Sequence, residues 1–122
     1  MKGSCLCGRV TYEVTGPLRP VIACHCIQCR KTSGHFVAAT QAAKKDLHIQ
    51  GEDNLTWFQS SDSARRGFCA ACGSQLFWEP DGQGVVSIMA GTLDGPTGLQ
   101  ISHHIHTDTK GDYYLLPDHA SE

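Results

Sequence analysis

No run in this sequence approaches the roughly 18–20 apolar residues that a helix needs to cross a bilayer. The opening Met1-Lys2-Gly3-Ser4-Cys5 turns polar and alternating by Arg9, without the apolar core of a signal peptide. The expectation is a soluble, cytoplasmic protein with no membrane partner. Charge of one sign is also missing. Ten Lys and Arg against twelve Asp and Glu leave a net charge of −2, with no basic tail. Binding to nucleic acid through bulk charge is therefore disfavoured. There is no internal repeat and no low-complexity stretch. A disulfide framework is disfavoured twice over: a reducing cytosol does not sustain one, and seven cysteines cannot all pair.

What is present is a globular composition, 40% hydrophobic and 18% charged, in 122 residues. That length suits one domain, 1–122, with a single core. Thirteen glycines suit many turns and short strands. Arg9 to Val14 alternates with β-branched and aromatic residues and reads as a strand, ended by Gly16-Pro17. Pro20 to Ala23 is extended. Phe36 to Thr40, Leu55 to Phe58, Gln75 to Glu79 and Val85 to Ala90 read as further strands. Asp81 to Gly84 makes a hairpin loop between the last two. Lys44 to Ile49 is ambiguous between a turn and a short strand. Gln100 to Thr107 and Tyr113 to Leu116 are candidates for the final strands, and Ile27 to Ser33 for a helical turn. Short strands and Gly-rich turns predict a mainly β domain.

The cysteines fall into three groups: Cys5-x-Cys7, Cys24-x-Cys26-x-x-Cys29 and Cys69-x-x-Cys72. A C-x-x-C turn lets two sulfurs converge on one tetrahedral ion, and Gly73 can take the positive φ that such a knuckle uses. A C-x-C pair puts both side chains on one face of an extended chain. A structural zinc takes four protein ligands; a catalytic one takes three and keeps a position open. One division therefore joins Cys5, Cys7, Cys69 and Cys72 and leaves Cys24, Cys26 and Cys29 as a tripod. A rival joins Cys26 and Cys29 to Cys69 and Cys72 as a ribbon and strands Cys5, Cys7 and Cys24. Buried cysteines packing as small hydrophobes are the alternative to any metal site.

Three segments, Gly3-Ser4-Cys5-Leu6-Cys7-Gly8-Arg9-Val10-Thr11-Tyr12, Cys24-His25-Cys26-Ile27-Gln28-Cys29-Arg30-Lys31-Thr32-Ser33-Gly34 and Phe68-Cys69-Ala70-Ala71-Cys72-Gly73-Ser74-Gln75-Leu76, carry a resemblance. In that order they resemble the glutathione-dependent formaldehyde-activating enzyme family, which includes relatives of centromere protein V. The tail is similar too, with His104-Ile105, a polar stretch, and Tyr113 where the family often has Trp. The resemblance implies a zinc-stapled β-tent of small antiparallel sheets and two zinc ions per chain. Cys5, Cys7, Cys69 and Cys72 match the structural ligands; Cys24, Cys26 and Cys29 match the catalytic ones. The implied activity is a carbon–sulfur lyase reaction that adds glutathione, or a similar small thiol, to formaldehyde or another small electrophile, giving S-hydroxymethylglutathione in the named case.

Three thiolates on a divalent ion leave a formal charge near −1, which suits binding a thiol as its thiolate. A bound substrate thiolate brings that formal charge to −2, which needs cations nearby. Arg30 and Lys31, directly after the third ligand, are the candidates, Arg30 as a catalytic-site residue; the alternative is a solvated surface pair. His25, between two ligands, is expected to face away from the metal. His35 could face the open site. His104 and His106 would share one strand face and His103 the other, with His104 the first candidate for substrate contact or proton transfer. Trp57, Trp78, Phe58, Phe77 and Phe68 read as core aromatics, and Lys44-Lys45 and Arg65-Arg66 as solvated charge. The competing function is a non-catalytic zinc module that binds a protein or nucleic-acid partner.

Overall fold

The computed structural model describes residues 1–117. Ten strands dominate it: β1 (Lys2–Ser4), β2 (Thr11–Val14), β3 (Val21–Cys24), β4 (Val37–Ala43), β5 (Leu47–Gln50), β6 (Leu55–Ser61), β7 (Ala64–Cys69), β8 (Gln75–Pro80), β9 (Val85–Met89) and β10 (Ile101–Ile105). Among the described residues a single α-helix, α1 (Ile27–Ser33), occupies the expected segment. A small antiparallel sheet has the order β1-β2-β5, and a larger one the order β10-β3-β4-β9-β8-β7-β6. The mainly β fold of small sheets is therefore as the sequence predicts. One pair departs from antiparallel: β10 runs parallel to β3, with Ile105 opposite Cys24.

Each face of the larger sheet has its own task. Alternation along β9 sends Val86 and Ile88 to one side and Ser87 and Met89 to the other. Val86, Ile88 and Phe77 meet Val10, Tyr12 and Val14 in the main core. Tyr12 packs edge-on to Phe77 at 5.3 Å, and its hydroxyl bonds Thr92 at 2.7 Å. Burial pushes the Tyr12 phenol up to about 12. On the opposite face a smaller cluster forms from Cys29, Val37, Ala39 and Met89, with Trp78, Cys24 and Cys26 packed against it. Across β7, β8 and β9 the register sets Arg66 beside Trp78 and Trp78 beside Ser87. This second face carries the site.

Several segments differ from the sequence reading. Lys44 to Ile49 divides into a helical turn, Lys44–Asp46, and β5. The final strand stops at Ile105 because His106 takes a positive φ of 55° and starts a turn at Thr107–Thr109. Tyr113 to Leu116 is irregular rather than a strand. Lys110 Nζ donates to the carbonyls of Gly111 and Tyr114, which curls the chain onto itself instead of into a ladder. Of the expected core aromatics Phe77 is fully buried, and Trp57 stacks on it at 6.2 Å. Phe68 and Trp78 are half-buried, and Phe58 is 60% exposed on β6, an edge strand of the larger sheet.

Candidate metal centres and their cavity

The seven sulfurs gather into a group of four, Cys5, Cys7, Cys69 and Cys72, and a group of three, Cys24, Cys26 and Cys29; within each, the sulfurs lie within 4.8 Å of one another. The ribbon division is thereby set aside, because Cys26 and Cys29 do not approach Cys69 and Cys72. In the group of four, Cys5 and Cys7 are 3.6 Å apart, and Cys7 and Cys69 are 3.7 Å apart. Tetrahedral zinc–thiolate bonds of ~2.3 Å require sulfurs about 3.8 Å apart, so the donors fit such an ion. Gly73, at φ 80°, closes the knuckle by donating its N–H to Cys69 O at 2.7 Å.

Donors around these sulfurs favour thiolate. Val10 N–H points at Cys5 Sγ from 3.4 Å. The Ser74 hydroxyl lies 3.2 Å from Cys72 Sγ, and its side-chain and backbone bonds hold that thiol down at about 5. The backbone N–H and then the side chain of Arg9 lower Cys7 in the same way.

In the group of three, β3 supplies Cys24 and α1 supplies Cys29, while Cys26 is the helix N-cap. Its sulfur accepts from Cys29 N–H at 3.3 Å, so one residue both starts the helix and presents its sulfur to the group of three. The Cys24 thiol is lowered, chiefly by its bond to Cys29. The Cys29 thiol is pushed up by that same bond and by burial. A metal ion held by these sulfurs would need all three as thiolates.

These three sulfurs open onto a cavity of about 590 Å³. Its walls are apolar at Ile22, Val37, Ala39, Trp78 and Met89 and polar at a few points, the usual make-up of a small-molecule site. Arg66 is the residue the sequence reading missed. It is 4% exposed, and its Nη2 lies 3.7 Å from Cys29 Sγ and 3.4 Å from Gln28 Oε1. Its Nε is buried without a partner. Its neighbour Arg65 faces the other way, stacking on Trp57 and pairing with Glu79 at 2.6 Å.

Arg30 and Lys31 are exposed and do not line the cavity. The Arg30 guanidinium donates to Thr109 O at 3.0 Å and so holds the turn that brings His106, Asp108 and Thr109 to the cavity wall. His25 is fully buried and lies off the cavity. Its ring bonds the Tyr114 hydroxyl and, at 2.9 Å, His104 Nδ1, while its carbonyl accepts from Thr109 Oγ1 at 3.0 Å. Burial, then the neighbouring His104, lowers its pKa. His104 is thus occupied in a buried network away from the cavity, and His106 takes the wall position instead. His35 bonds the Tyr113 hydroxyl at 2.6 Å outside the cavity, and exposed His103 bonds Ser102.

A family model described as glutathione-dependent formaldehyde-activating enzyme matches residues 1–109. A Halomonas elongata protein named "Putative glutathione-dependent formaldehyde-activating enzyme" is 28% identical over 103 residues. That match takes in 77% of this chain and 66% of the relative, just under two thirds of its length. An uncharacterised lyase of Schizosaccharomyces pombe is 27% identical over 122 residues, 98% of this chain and 88% of that protein. Among solved structures, a Rhodobacter sphaeroides protein superposes with a TM-score of 0.66 at 28% identity, covering 80% of this chain and 92% of that one.

Proposed function

The chain belongs to the glutathione-dependent formaldehyde-activating enzyme family, and from that premise we propose that it is a zinc-dependent, carbon–sulfur lyase-type enzyme acting on thiol adducts. The reaction is formation of S-hydroxymethylglutathione from glutathione and formaldehyde, or the same addition with a similar thiol and small electrophile. Cys5, Cys7, Cys69 and Cys72 would hold a structural zinc, and Cys24, Cys26 and Cys29 a second. At the three-cysteine site such an ion would supply an open position and favour the thiolate form of a substrate thiol.

The chain's own residues do the rest. The observation that carries the reading is the position of Arg66, a buried cation against the sulfur of Cys29 at an open, cavity-facing cysteine tripod. Its charge offsets the excess of negative charge that a fourth sulfur brings, in surroundings where water screens little. Trp78, Met89 and Ile22 exclude solvent from the reacting pair, so the electrophile meets the sulfur at high effective concentration. In the addition the S–C bond forms as the carbonyl π pair moves to oxygen. That oxygen takes up the proton the thiol has released. His106 on the cavity wall is placed to pass this proton through water. Arg30 acts from outside by fixing the Thr109 turn.

Exchange spectroscopy on ¹³C-formaldehyde and glutathione tests the proposal. The zinc-loaded protein should speed interconversion of hydrated formaldehyde and the hydroxymethyl thioether beyond the buffer rate, with two zincs per chain. A rate equal to buffer with two zincs present would return the chain to the binding-module reading.

A further inference from the structure

The cavity has a second cation, and it stands away from the sulfurs. Arg19 precedes β3 and lines the cavity with Ile22 and Ala39. Its position is fixed by backbone on every side. Arg19 N–H donates to Gln41 O at 3.0 Å, and its own carbonyl accepts the Thr40 hydroxyl. Its guanidinium spends Nε on Pro20 O at 3.2 Å and Nη2 on Ala39 O at 3.0 Å. These are neutral acceptors, and they orient the fork without cancelling its charge. Among the described residues the ion pairs run to Glu79 alone, from Lys44 and Arg65, so Arg19 is not paired with a carboxylate. An oriented, half-buried guanidinium with unspent donors at the rim of an apolar cavity is matched by an anion with two oxygens.

Its distance from the tripod follows from the ladder. Ala39, which holds the guanidinium, is the register partner of Ile22, while Cys24 pairs with Val37. Ile22 and Cys24 lie two residues apart on the same face of β3, a spacing of ~7 Å along the strand. Between them runs an apolar floor of Ile22, Val37, Ala39 and Met89. The geometry points to a carboxylate subsite at Arg19. The thiol this protein takes carries a carboxylate several bonds from its sulfur, as a cysteinyl peptide does and a simple alkyl thiol does not. This rests on the proposed thiol chemistry at Cys24, Cys26 and Cys29 and goes beyond it by naming what selects the substrate.

Calorimetric titration of the zinc-loaded protein with two probes of equal length, N-acetylcysteinylglycine and its C-terminal amide, tests the subsite. The acid should bind at least tenfold more tightly than the amide. In Arg19→Gln the preference should fall below twofold with amide affinity unchanged, and Arg19→Lys should recover part of it. The comparison within the unaltered protein needs no variant, so a folding defect in Arg19→Gln does not blunt it. If both probes bind the unaltered protein equally, the subsite is wrong and the thiol chemistry stands. If an Arg19→Gln variant of unchanged melting temperature keeps the full preference, the carboxylate is read elsewhere and Arg19 is overturned. If neither thiol binds, the functional proposal fails and takes the subsite with it.

Discussion

Replacing Arg66 by methionine removes a buried charge while keeping much of the side chain's length and packing. The charge sits 3.7 Å from Cys29 Sγ. A thiolate that shares a tetrahedral ion with Cys29 lies about 3.8 Å from that sulfur, and therefore about 4 to 7 Å from the guanidinium. At an effective dielectric constant of about 20, Coulomb's law gives about 2–4 kcal/mol over that range. Affinity for glutathione should fall by about 30- to 1,000-fold. Stability should change less than affinity, because losing the Nη2 contacts to Cys29 and Gln28 is partly offset by removing a buried Nε that has no partner. Titration calorimetry gives the affinity, metal analysis checks that both zincs remain, and scanning calorimetry gives the melting temperature. Arg66→Lys should fall between the two. If Arg66→Met keeps two zincs and binds glutathione within threefold of the unaltered protein, the charge-balance argument is refuted.

Other perturbations separate the two sulfur groups. Cys26→Ser should keep near-UV circular dichroism but lose the second zinc and the exchange activity, since serine still caps α1. Cys72→Ser should lose cooperative folding, and equal behaviour of the two variants would contradict a division into structural and open sites. Ser74→Ala should release the structural zinc at higher pH, read with a chelating dye. A depressed thiol contributes stability that is lost as pH falls through its folded value, here about 5, and without the Ser74 hydroxyl that value rises. Burial pushes the Glu79 carboxyl up, but the bonds from Lys44 and Arg65 outweigh it and hold it below its ordinary 4.5. Its stabilisation is present above that pH and lost as pH falls further. Glu79→Gln should cost about 1 kcal/mol at pH 7 in denaturant titrations, with the difference closing below the carboxylate range.

Spacing left two groupings of the sulfurs open, and the family resemblance implied the one found. The helix at Ile27 to Ser33 and most strands could be read from spacing and alternation. Those signals are local and periodic, so tertiary contacts had little to change. Arg66 was hidden for the same reason that β7 was. Two adjacent arginines on a strand face opposite sides, and without the register no rule says which turns inward. Had Ala64–Cys69 been recognised as a strand, one of the pair would have had to face a packed side. The histidines after Ile101 misled because one positive φ at His106 ends the strand phase, moving His106 to the cavity and leaving His104 in the core. The curl at Tyr113 depends on Lys110 reaching carbonyls farther along the chain, which periodicity does not report.

Cys7 and Cys69 lie 62 positions apart in the chain and 3.7 Å apart in space. An ion held by their cluster closes a loop of that length much as a covalent bridge would. The chain-entropy relation for cross-links puts such a closure at about 4 kcal/mol. Glutathione reduces an exposed disulfide but does not by itself open a four-thiolate ion site. Such an ion tether would not be opened by a reducing thiol as a disulfide is, so a protein proposed to work on thiols would hold its scaffold without a bond that its own substrate reduces.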